Sequence, residues 1–132
     1  SDGDVLRLGE MEFIAQATPG HSPGAMSWTW NSCNLASQPR ACSRMAYVDS
    51  LSAVSSDGYR FSDRPAYVAA FRTSIEKVRM LPCDFLVTPH PSASRLLQNL
   101  RDGTFAAPGQ CATYADALSA KLDARLAKEG DR

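Results

Sequence analysis

Hydrophobic and polar positions change period several times along the chain, and the changes mark out its elements. Val5 to Leu8 and Met11 to Ala17 read as strands, with Gly9-Glu10 between them as a hairpin turn. The proline- and glycine-rich run Thr18-Pro19-Gly20-His21-Ser22-Pro23-Gly24 predicts a loop. Beyond it Met26, Trp28 and Trp30 alternate with Ser27 and Thr29, a strand-like alternation that gives one large apolar face. That face is expected to lie in the core. Met45 to Val48 predicts a fourth short strand, ending at Asp49.

After a loop at Gly58 the pattern turns helical. Ser62-Asp63 marks a helix start, and Pro65 sits in the first turn, where its missing N–H costs nothing. Val68, Phe71, Ile75 and Val78 follow at helical spacing as one buried stripe. Leu81-Pro82 ends that helix. Phe85-Leu86-Val87 suits a short strand covered on both faces, stopped by Pro89-His90-Pro91. Leu96, Leu97 and Leu100 predict a short helix closed near Gly103. Thr113 with Asp116 resembles a capping pair. Tyr114, Leu118, Leu122 and Leu126 then line the inner face of a last helix, with Gly130 as its C-cap. Four strands, a helix, a strand and two helices predict a mixed α/β layer, with no internal repeat and no interdomain linker.

Length fits this picture: 132 residues make one small domain or half of a larger one. The 14 basic and 14 acidic side chains cancel, so nothing draws the chain to nucleic acid or to an anionic membrane. No apolar run approaches the roughly 20 residues of a membrane span. Ser1-Asp2-Gly3-Asp4 is not a basic start followed by an apolar stretch, and with no initiating Met the chain reads as a mature or internal piece. Four cysteines allow three pairings. Nearest-neighbour bridges, Cys33–Cys42 and Cys83–Cys111, are the simplest; four free thiols are the alternative. A zinc site built from cysteine alone fits less well, because the spacings miss the usual ligand pattern.

The two histidines occupy unusual settings. His21 and His90 each follow a strand and each stands among prolines, which restrict both their own backbone and the residue before them. Stiff loops at strand ends are where α/β proteins keep their chemistry, and neutral imidazole is a common zinc ligand. The plain alternative is two loop histidines in solvent. A zinc site needs at least three protein ligands, so two histidines cannot complete one.

Three runs carry more than periodicity: Thr18 to Gly24, then Tyr47-Val48-Asp49-Ser50-Leu51-Ser52, then Leu81-Pro82-Cys83-Asp84-Phe85-Leu86-Val87-Thr88-Pro89-His90-Pro91. In this order and spacing they resemble the metallo-β-lactamases, most closely the subclass that lacks a zinc-binding cysteine. The first run alone is shared with thioesterases of the glyoxalase II kind. The resemblance extends from near Ser1 through the last helix. It implies the second αβ half of a four-layer αββα sandwich, with residues 1–132 as a C-terminal half. It also implies zinc, two ions in the complete enzyme, with His21 a ligand of the first and His90 a ligand of the second. Ser50 stands where another subclass has its cysteine ligand, as a hydroxyl near the second zinc on the substrate side. Ser52 would bind the carboxylate of the bicyclic antibiotic, and Asp49 would be a hydrogen-bonded structural carboxylate beside the metals. Cys83–Cys111 matches a disulfide common in the subclass, and Cys33–Cys42 one seen in some members.

The family's His-x-His-x-Asp-His motif, source of the remaining ligands, is absent from this chain and belongs to the N-terminal half. The resemblance therefore implies a periplasmic or secreted enzyme in which metal-bound hydroxide attacks a lactam carbonyl, with the N-terminal half as the chain's partner. The isolated chain is expected to be inactive. Two rivals stand beside this reading: another hydrolase of the same fold, acting on a thioester or lactone, and an inactive truncated fragment.

Overall fold

The elements of the computed structural model, which describes residues 1–130, follow the predicted order. They are β1 (Val5–Leu8), β2 (Met11–Ala17), β3 (Met26–Asn34), β4 (Ala41–Tyr47), α1 (Pro65–Arg79), β5 (Phe85–Val87), α2 (Leu96–Arg101) and α3 (Gln110–Gly130). The five strands form one sheet in chain order. β1 to β4 are antiparallel neighbours, and β5 returns beside β4 in parallel. A parallel return needs a crossover, and α1 supplies it.

The core lies on one face of the sheet. Ala46, Val48 and Leu86 meet Phe71, Ile75 and Val78 of α1 and Tyr114, Ala115, Leu118 and Leu122 of α3. The helical stripes of both long helices are therefore those the spacing predicts, with Val68 and Leu126 at their partly buried margins. α1 begins at Pro65 without a side-chain cap from Ser62 or Asp63. α2 buries no residue, and Leu97 and Leu100 stay exposed.

The Met26, Trp28 and Trp30 face is not in this core. Cross-strand partners share a face, and Thr29 pairs with Ala46, which in turn pairs with Leu86. The helices thus cover the small side of β3, with Ser27 and Thr29 buried. Met26, Trp28 and Trp30 stand on the opposite face, half-buried. There they join Phe13 (5.4 Å from the Trp30 ring), Met45, Tyr47, Phe85 and Val87. β5 is accordingly an edge strand covered on one face by this chain, not on both. The second face is apolar across all five strands, reaching Leu6 at 59% exposure and Leu8 at 68%.

Two boundaries also move. β3 and β4 extend past the predicted strands into a long hairpin that sets Cys33 opposite Cys42, and the two form a disulfide. The second disulfide ties Cys83, just before β5, to Cys111 in the first turn of α3, with both residues buried. Closing a loop of this length stabilises the fold by roughly 3–4 kcal/mol through the unfolded chain. α3 starts at Gln110, so Thr113 is inside its first turn and is not its cap. The turn at Pro108-Gly109, with Gly109 at φ 83°, sets the start instead. Gly130 is the last described residue of the helix, and the residues that would show a C-cap lie outside the described residues.

Glu129 is 5% exposed near the end of α3. Its Oε1 accepts from Arg125 Nε at 2.6 Å and its Oε2 from the Ser62 backbone N–H at 2.8 Å. Arg60 donates to its carbonyl at 2.7 Å. Burial alone would raise the carboxyl; the Arg125 guanidinium and the backbone N–H groups outweigh it and hold Glu129 at about 2, from an ordinary 4.5. A pKa lower in the folded chain contributes stability above the unfolded value, lost as pH falls through the folded one. Glu129→Gln is therefore expected to lower Tm near neutral pH. The gap to wild type should narrow between pH 4.5 and about 2. Melting curves across that range test this, and a constant gap would contradict it.

Candidate functional site

The sheet topology gathers the candidate residues at one end. β2 ends at Ala17 beside Met26, where β3 begins. Trp28 pairs with Tyr47, the last residue of β4, and Tyr47 pairs with Val87, the last of β5. The segments carrying His21, Asp49 to Ser52 and His90 therefore all leave the sheet from the same end, which is where open α/β sheets bind ligands.

The His21 loop is anchored by backbone and side-chain hydrogen bonds. Thr18 is buried, with Oγ1 2.8 Å from Ser27 Oγ. Ser74 of α1 donates to the Pro19 carbonyl at 2.7 Å, and the Tyr67 hydroxyl to the Gly20 carbonyl at 2.7 Å. Burial pushes the Tyr67 phenol up, so it stays a donor. A Cβ at Gly20 would collide with Leu51 Cδ2 and lie 2.7 Å from the Phe71 ring. Overpacking of this kind costs about 1–3 kcal/mol. Gly20→Ala is expected to lower Tm and to shift His21, the next residue. A variant with wild-type melting would show that the loop tolerates the methyl.

The second segment meets the first. The Asp49 backbone N–H donates to Ser27 Oγ at 3.1 Å, and the Asp49 carboxylate accepts from the Ser50 N–H at 2.8 Å. Asp49 is thus engaged by its own turn. Ser50 Oγ and Ser52 Oγ are 3.0 Å apart. The Ser52 carbonyl lies 3.2 Å from His21 Nδ1. A carbonyl can only accept, so Nδ1 is the donor of this pair, and in the neutral ring that tautomer leaves the lone pair on Nε2.

His90 belongs to the same end by a separate set of bonds. Val48 N–H donates to the Val87 carbonyl at 2.9 Å, joining the two strand ends. Buried Thr88 donates to the His90 carbonyl at 2.8 Å and sits 2.9 Å from Ser94 Oγ. Its imidazole is exposed and makes no hydrogen bond among the described residues.

The arrangement offers two exposed imidazoles and a hydroxyl pair. Among the described residues, no three or more His, Cys, Asp or Glu side chains come together as a metal site. The donor chemistry suits one imidazole per metal, but the donor set within this chain is incomplete. Ser27, Tyr67 and Ser74, which hold these loops, were not singled out from the sequence. A hydroxyl at the buried positions of β3 and α1 was the available signal, since a buried hydroxyl needs a partner.

No family model matches the chain. Solved structures do. MIM-1, a metallo-β-lactamase from Novosphingobium pentaromativorans, aligns with a TM-score of 0.88 at 43% identity, covering 98% of this chain and 47% of its own. The MIM-2 metallo-β-lactamase aligns at 0.89 and 45% identity, covering 98% and 46%. MEM-A1, a subclass B3 metallo-β-lactamase isolated from a soil metagenome library, aligns at 0.86 and 32% identity, covering 99% and 52%. The chain thus spans about half the length of the solved structures it matches. Identity at this level along nearly its whole length, in the same fold, means that the chain belongs to the metallo-β-lactamase family, with the subclass B3 enzymes.

Proposed function

We propose that this chain is the C-terminal half of a zinc-dependent β-lactamase, with His21 a ligand of one zinc and His90 of the other. The observation that carries the reading is the pairing of His21 Nδ1 with the Ser52 carbonyl. Metal-ligating histidines characteristically donate their other ring N–H to a carbonyl or carboxylate, which fixes the ring and raises ligand basicity. The remaining ligands come from a His-x-His-x-Asp-His segment in the N-terminal half, which packs on the uncovered apolar face of the sheet. Zinc, when bound, supplies Lewis acidity and an activated water near neutral pH.

The chain's own residues hold and orient. His21 presents Nε2, aimed by Ser52. Ser50 and Ser52 offer hydroxyl donors to the substrate carboxylate, and Asp49 fixes the turn that carries them. Ser50 has no histidine partner that would make it a nucleophile. Disulfides persist in oxidising compartments, so the two bridges support a periplasmic or secreted enzyme.

The test is hydrolysis of a chromogenic cephalosporin by the full-length enzyme, with and without a zinc chelator. Chelator-sensitive turnover is expected; turnover of thioesters or lactones alone would assign the fold to another hydrolase. Ser52→Ala is expected to raise KM more than it lowers kcat, because it removes a positioning contact. An unchanged KM for every antibiotic tested would remove Ser52 from substrate binding.

A further inference from the structure

A cavity of about 660 Å³ adjoins His21, between the loop after β4 and the start of α1. Its walls include Pro23, Tyr59, Phe61, Tyr67 and the side chain of Arg64. That volume is in the range of pockets for drug-sized ligands, roughly 300–1,000 Å³. Arg64 is its cation. The residue occupies the N-cap position of α1, yet its side chain makes no capping hydrogen bond. The guanidinium lies over the Tyr59 ring, 5.0 Å from the centroid. Among the described residues it forms no ion pair with a carboxylate, whereas Arg60, Arg72, Arg79 and Arg125 each do. A guanidinium stacked on an aromatic ring is held in place while its edge donors stay open, the geometry that suits a carboxylate.

We propose that Arg64 is a specificity-determining residue that selects β-lactams carrying an anionic group on the side chain, such as a side-chain carboxylate. The inference rests on the β-lactamase reading, since His21 at the rim ties this cavity to the reacting end of the substrate. The ring carboxylate goes to Ser52 and the side-chain anion to Arg64. Tyr59, Phe61 and Tyr67 supply the apolar walls for the substituent that bears the charge. An arginine here chooses among substrates and takes no part in bond breaking, so its contribution belongs in KM.

The test uses the full-length zinc enzyme and two penicillins that differ only by a carboxylate on the side chain. The readout is the ratio of kcat/KM for the anionic substrate to that for the neutral one. Arg64→Gln is expected to lower this ratio about tenfold, through KM, which corresponds to about 1.4 kcal/mol. Arg64→Lys keeps the charge but not the stacked fork, so it should restore only part of the ratio, and added salt should shrink the wild-type preference. An unchanged ratio in Arg64→Gln, or equal losses on both substrates, would overturn the subsite while leaving the β-lactamase reading intact. A wild-type enzyme that hydrolyses neither penicillin would overturn both.

Discussion

Replacing His21 by alanine in the full-length enzyme is expected to remove most activity, and zinc with it. Removing an outer partner of a metal ligand already costs about 10–100-fold, so loss of a direct ligand should exceed a hundredfold in kcat/KM. Alanine leaves the loop otherwise intact, because Thr18, Pro19 and Gly20 keep their bonds to Ser27, Ser74 and Tyr67. The effect should thus appear as lost metal in a folded protein. Metal analysis beside a melting curve separates the two. The same loss is expected for His90→Ala, whose loop is held by Thr88 and Ser94 and not by its ring. Either variant with normal turnover and two bound zincs would end the ligand assignment.

The two loops that carry His21 and His90 were legible in the sequence because their composition is unusual, not because histidine is rare. Prolines and glycines at strand ends announce a stiff loop, and the structure places both loops at one end of the sheet. The strand and helix stripes were legible for a similar reason: a period fixes which residues share a face. Period does not say which face the helices cover. Trp28 and Trp30 look like core by size, yet the helices pack against Ser27, Thr29 and Ala46 on the other side. Full burial of that face would need a layer this chain does not supply, and no local pattern encodes one. The bond from His21 to Ser52 spans 31 residues and arises only when β2 and β4 flank β3. Glu129 was invisible for the same reason, since its partners include Ser62, 67 residues away in sequence. Cys33 and Cys42 were paired by proximity in sequence, and the hairpin register, which sets them directly opposite, supplies the physical reason.

The uncovered sheet face leads to a result that should reverse sign with context. Trp30 is half-buried there against Phe13, beside Met45 and within an apolar surface that runs across all five strands. An exposed patch of this kind drives self-association. The isolated chain should therefore self-associate and show no hydrolysis, and Trp30→Lys should raise its monomer fraction, seen by sedimentation. In the full-length enzyme the same face is proposed to lie under the N-terminal half, where a lysine would be an unpaired buried charge. A buried charge left without a partner costs about 3–5 kcal/mol, so Trp30→Lys should there lower Tm sharply and abolish activity. Mixing the isolated wild-type chain with a separately produced N-terminal half and zinc should restore chelator-sensitive hydrolysis, and the lysine variant should fail to complement. If Trp30→Lys is harmless in the full-length enzyme, the face is not the junction between halves. The missing histidines would then have to approach His21 and His90 from the rim of the sheet instead.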